Sequence, residues 1–242
     1  MTLNSVTENK LTSLVADFWA EHVKTDDFQS IFVGKEKGHK IADYVDEKTT
    51  ELISKHFSIS FETNKKGQKK ARSMGDLWIW DNGIYNPVNI KAGEADKNGQ
   101  PNLVSLNKII KFLLESRIDS YHLIIIKLRE GELEKNRKIQ PMIYVCDLLE
   151  NLEYATFDAG PGQLMLKEKQ FYSEFSEKSK VKSLTIEDKL QACIDKLEDG
   201  NRRLILNREK AISKIRQKYH NHVKLDITLQ QKSLNLGKSE KI

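Results

Sequence analysis

Asp76-Leu-Trp-Ile-Trp80, Asp81-Asn-Gly83 and Ile84-Tyr-Asn-Pro-Val-Asn-Ile-Lys-Ala92 decide the fold of this 242-residue chain. The first piece alternates like a strand, the Asn82-Gly83 pair is a tight-turn signal, and the third piece reads as the returning strand. Pro87 lacks a ladder donor, so it belongs at an edge or at the start of the better-paired half of its strand. Residues 89 and 91 lie two apart and share one face of that strand. A hairpin closed at Asn82-Gly83 brings Asp76 across to them. An acid, an amide oxygen and an ammonium therefore converge at one hairpin end. Metal-assisted phosphodiester hydrolysis needs such a set, with a carboxylate to hold a divalent cation and a lysine beside the attacking water. An oxygen-rich, partly hydrated site suits Mg²⁺. The bland alternative is an Asp76–Lys91 cross-strand salt bridge.

Upstream, residues 6–32 read as a helical segment with Leu11, Leu14, Val15, Phe18 and Trp19 at helical spacing. Ile41 to His56 keeps a 3.6-residue period, and Ser58–Phe61 is a short strand. Downstream, a second amphipathic helix runs from Leu103 to Leu114. Two apolar strands follow, Tyr121–Leu128 and Ile139–Cys146, whose continuous runs suggest burial on both faces. Gly160–Phe171 is a turn followed by a strand. Ile186–Leu197 and Arg202–Tyr219 read as two charged helices broken at Gly200. The pattern predicts an α/β (α+β) fold, a mixed central sheet flanked by helices. The core spans residues 1–180, and 181–242 form a basic helical extension packed on it.

Net charge is +5, from 40 basic and 35 acidic residues. Residues 201–224 alone carry +7 through eight Lys or Arg, including Arg202 and Arg203, against Glu209, so the remainder sums to −2. Lys65, Lys66, Lys69, Lys70 and Arg72 crowd a second short loop. Such clusters fit a polyanion partner as well as a solvated surface. Cys146 and Cys193 sit in apolar settings and read as buried free thiols of a reducing compartment. Purely apolar runs such as Leu123–Ile126 are far too short for a membrane helix, and the N-terminus is too polar for a signal peptide. The expectation is a cytoplasmic protein without a membrane partner. The six histidines lack zinc-site spacing, and no nucleophile-elbow, Walker or dinucleotide signature occurs, so no organic cofactor is expected. Trp78 and Trp80 make one strand face indole-rich, for core packing or for base stacking.

Gly75-Asp76 … Asn89-Ile90-Lys91, with these elements around it, resembles the PD-(D/E)XK nucleases, and within them type II restriction endonucleases. Gln100-Pro-Asn-Leu-Val-Ser105 is similar to a segment that follows the catalytic strand in the HincII/HpaI/EcoRV branch. Gly160-Pro-Gly-Gln-Leu-Met-Leu-Lys167 resembles a later element of that branch. The resemblance covers residues 38–172. It implies a restriction-endonuclease-like core, Mg²⁺ held by Asp76 and Asn89, Lys91 acting on water, and a homodimer cutting both strands of double-stranded DNA. It places Gln100, Asn102 and Ser105 near base edges, with Gln163 and Lys167 approaching the DNA. Lys69, Lys70, Arg72, Arg202 and Arg203 then contact phosphates. Asn89 departs from the family, which normally has a second carboxylate there. A natural variant, an inactivating substitution, or a compensating acid among Glu94, Asp96, Asp43, Glu47 and Glu51 would each account for it. A DNA-binding protein that keeps the fold without catalysis, or a repair nuclease such as a junction resolvase, remains open.

Overall fold

The computed structural model describes residues 4–33, 39–68, 73–81, 83–94, 101–131, 138–178 and 184–239. They divide into two compact units, 1–197 and 198–242. The division falls inside a helix.

The first unit is built on a five-stranded mixed sheet. The N-terminal segment forms α1 (Asn4–His22) and α2 (Asp26–Val33), and α3 spans His39–His56. Leu11, Val15 and Trp19 on α1, with Ile41, Val45 and Ile53 on α3, recur at helical spacing and are buried. Trp19 Nε1 donates to Thr49 Oγ1 (3.1 Å), which ties the two helices together. Next come β1 (Ile59–Ser60), β2 (Leu77–Asp81) and β3 (Ile84–Glu94). After β4 (Asn102–Ser105) and α4 (Leu106–Leu114) the chain returns to the sheet through β5 (His122–Gly131) and β6 (Lys138–Asp147). The sheet order is β1-β2-β3-β5-β6, with only β3 and β5 parallel.

Register explains Pro87. Residues 84–87 of β3 pair with β2 alone, and pairing with β5 begins at Val88↔His122. The proline therefore precedes the doubly paired half, where a missing donor is tolerated. The hairpin closes as expected, Asp81 opposite Ile84 with Gly83 at φ +88°.

One face of this sheet (Leu77, Ile79, Val88, Ile90, Ile124, Ile126) packs against α1, α2 and α3. The other (Trp78, Leu123, Ile125) packs against α4, α5 (Glu168–Lys178) and a three-stranded sheet ordered β4-β8-β7. In that second sheet β7 is Ala155–Asp158 and β8 is Gln163–Leu166. Burial on both faces holds for β5, buried from Tyr121 to Leu128, but not for the edge strand β6, half-buried from Pro141 to Tyr144. Two further expectations are corrected. Leu103–Ser105 is strand, because it pairs with β8, and the helix starts only at Leu106. The segment after Thr185 is one helix, α6 (Ile186–Ser239), with no break at Gly200. Fourteen residues of helix precede that glycine, and a single interior glycine costs only about 1 kcal/mol, too little to end it. Both cysteines are free and buried, as their settings imply. No helix among the described residues is long and apolar enough to cross a membrane.

Candidate active site

Asp76 is bonded to the backbone between Asn89 and Lys91, whose side chains share the sheet face that looks toward β4 and α4. Gly75 makes this contact possible. A Cβ there would lie 2.8 Å from the carbonyl oxygens of Leu77 and Val88 and 3.0 Å from Pro87 Cβ, so only glycine lets the chain approach β3 this closely. Asp76 N then donates to Val88 O (2.8 Å), and Ile90 N donates to Asp76 Oδ2 (2.7 Å). The carboxylate is thereby pinned at the backbone between Asn89 and Lys91.

Asn89 is 5% exposed. Its Nδ2 donates to Tyr121 Oη (3.1 Å) and to Leu103 O (3.4 Å). Tyr121 Oη spends its own proton on Met74 O (2.8 Å), so it must accept from Asn89, and this fixes which way the amide points. Asn89 Oδ1 is left buried without a donor. A buried acceptor without a partner costs on the order of 1–3 kcal/mol, which makes it a place where a cation or water would be held. Burial raises the Tyr121 hydroxyl well above the usual tyrosine range. The Asn89 hydrogen bond opposes this, and the Asp76 and Glu62 carboxylates add to it. Tyr121 is thus a permanently neutral positioning group. Its function is not legible in the sequence, where it reads only as the first residue of an apolar strand.

Lys91 is half-buried and, among the described residues, makes no ion pair or hydrogen bond. The Asp76–Lys91 salt bridge is therefore not formed. A neighbouring lysine on the same face, Lys127, is instead buried against Glu168 (3.0 Å), a pair the sequence did not suggest. Glu62 comes in from the segment after β1 and accepts from Met74 N (3.0 Å).

The other expected residues distribute as follows. Ser105 lies opposite Gln163 in the second sheet, and Asn102 opposite Met165, exposed at the surface. Leu103 between them contacts the Asn89 amide, so this segment does abut the candidate site. Lys167 donates to Glu153 O (2.9 Å) and Gln170 Oε1 (3.4 Å), which commits its ammonium to the protein's own backbone and side chains. Gln100, Lys69, Lys70, Arg72 and Asp96 lie outside the described residues. So does the side chain of Glu94, whose backbone belongs to β3. Asp43, Glu47 and Glu51 sit on α3, which packs on the opposite face of the sheet, so none of them completes the site. Arg202 and Arg203 belong to the second unit and are exposed, Arg203 pairing with Asp199 (3.1 Å).

Oxygen donors from one carboxylate and one orphaned amide fit a hard cation such as Mg²⁺, which keeps several waters and needs only one or two protein carboxylates. Among the described residues no group of three or more Asp, Glu, His or Cys converges for a metal. No protein-family model matches the chain, and no curated protein matches it.

Proposed function

We propose that the chain is a Mg²⁺-dependent endonuclease of double-stranded DNA with a PD-(D/E)XK-type core, working as a homodimer on a two-fold-symmetric site. One observation carries the reading. The Asp76 carboxylate is held at the backbone between Asn89, whose Oδ1 lacks a donor, and Lys91, whose ammonium has no ion pair among the described residues, all at one hairpin end. Asp76 and Asn89 would hold the cation, which when bound supplies Lewis-acid stabilisation of charge on the scissile phosphate. Tyr121 keeps the Asn89 oxygen turned outward from its own hydrogen bonds. Lys91 Nζ orients the attacking water and offsets the phosphate charge. Asn102, Ser105 and Gln163 supply amide and hydroxyl groups beside this face that suit base edges. The exposed basic face of α6, with Arg202 and Arg203, supplies phosphate contacts. The test is digestion of phage DNA with Mg²⁺ followed by sequencing of the ends. Discrete fragments, lost in Lys91→Ala, support the reading. Intact DNA with folded protein overturns catalysis.

A second reading, a DNA-binding protein on this fold without catalysis, is favoured because among the described residues no group of three or more Asp, Glu, His or Cys converges for a metal. It predicts that the same DNA is retarded in a gel but never cut.

A further inference from the structure

Two residues past Asp76 on the same face of β2, Trp78 opens a pocket of about 420 Å³. Its walls include Phe61, Trp78, Trp80, Tyr85, Glu62 and Arg117. The aromatic lining is not consumed by the core. Trp80 is 47% exposed and Phe61 37%, and Trp80 meets Tyr85 edge-on at 4.9 Å. Trp78, although 7% exposed, holds its Nε1–H without an acceptor. Glu62 and Arg117 also line a second cavity of about 460 Å³, whose further walls carry Lys108 and Lys111. Arg117 lies 4.1 Å above the Phe112 ring, which holds the guanidinium at the junction of the two. Glu115 lies within 4 Å of both Lys111 and Arg117, so with Glu62 the three cations leave the junction net positive.

An aromatic-lined pocket, a carboxylate that accepts from a base's exocyclic amine, and an adjoining cationic hollow match the three parts of a nucleotide: face, edge and phosphate. A paired base has both faces covered by its stack and cannot use such a slot. We propose that this pocket takes one unpaired nucleobase of a DNA strand, stacked on Trp80, with its phosphates toward Arg117, Lys108 and Lys111. Trp80 lies four residues past Asp76, about 13 Å along the strand, so the unpaired nucleotide sits within about two nucleotides of the phosphate that Asp76 would address. The substrate thus has an open or extruded position near the cut. That placement rests on the nuclease reading; binding of the base itself does not.

The experiment separates the two. A fluorescein-labelled strand of eight deoxycytidines, each base carrying an exocyclic amine, is titrated by anisotropy in EDTA, where no metal-dependent cleavage contributes. Wild type, Trp80→Ala, Trp80→Phe and Arg117→Ala are compared. Loss of one stacked base should weaken Trp80→Ala roughly tenfold, Trp80→Phe should retain most binding, and Arg117→Ala should weaken binding and flatten its salt dependence. Trp80 is half in solvent, so its truncation leaves the fold intact. Failure of the wild type to bind the strand, or equal binding by Trp80→Ala, overturns the pocket. Binding that follows this pattern in a protein that cuts no DNA with Mg²⁺ leaves the pocket standing and removes the nuclease reading.

Discussion

Asn89→Asp puts a second carboxylate into a site built for an amide. The change deletes the donation to Leu103 O and turns the donation to Tyr121 Oη into competition for a proton that Tyr121 gives to Met74 O. It also adds a second buried anion beside Asp76, which disfavours charging either. Losing a buried donor costs about 1–3 kcal/mol, so with like-charge repulsion the variant should lose about 3 kcal/mol without metal. For a unit of this size that is a fall in Tm of roughly 6–12 °C. A divalent cation should reverse part of it, because the second carboxylate both attracts the ion and is neutralised by it. At ten times its Kd a ligand stabilises the folded state by about 1.4 kcal/mol, or roughly 3–6 °C here. Thermal melts in EDTA and in Mg²⁺ read both numbers. A variant as stable as wild type in EDTA, or one no more responsive to Mg²⁺ than wild type, refutes the placement of residue 89 at a cation site.

Three further outcomes follow from the packing. Burial and the Asp147 carboxylate push Glu8 up to about 8, against the Asp147 N–H it accepts from and the more distant Lys189. The folded chain then holds a proton the unfolded chain releases above about 4.5, so stability falls as pH rises from about 4.5 to about 8 and is level beyond. Glu8→Gln should remove that slope and gain about 1–3 kcal/mol at the alkaline end, measured by urea unfolding across pH; an unchanged slope contradicts it. Lys189, 2% exposed, joins Asp147 (2.7 Å), Glu150 (3.4 Å) and Asp119 O (2.9 Å), and Lys189→Met should cost about 3–5 kcal/mol by leaving two buried carboxylates uncompensated. Gly75→Ala drives a methyl into two backbone oxygens and should cost at least about 2 kcal/mol while displacing Asp76, visible as a lower Tm together with lost Mg²⁺ response.

What the sequence disclosed was what local chemistry encodes. Asn82-Gly83 announces its turn, Pro87 its position, and the Trp19 and Val45 faces their helices, because each signal lies within a few residues. The second sheet escaped reading, since Leu103–Ser105 has the spacing of a helix start and becomes strand only through β8, some sixty residues on. Gly200 misled for the opposite reason: a helix anchored upstream by Lys189 and Cys193 outweighs one glycine. At the candidate site, strand periodicity and a hairpin suffice to place Asp76 beside Asn89 and Lys91. Tyr121 and Glu62 were not legible, because they reach the site only through tertiary hydrogen bonds to Met74. Lys167 is tied to Glu153 O by a contact no spacing reveals.

A calorimetric titration of Mn²⁺ into the wild-type protein and Asp76→Ala tests the cation pocket most directly. The account predicts one saturable site per chain in the wild type, abolished in Asp76→Ala while the melting curve of the variant stays cooperative. No heat in the wild type, or identical isotherms for the two proteins, would contradict it.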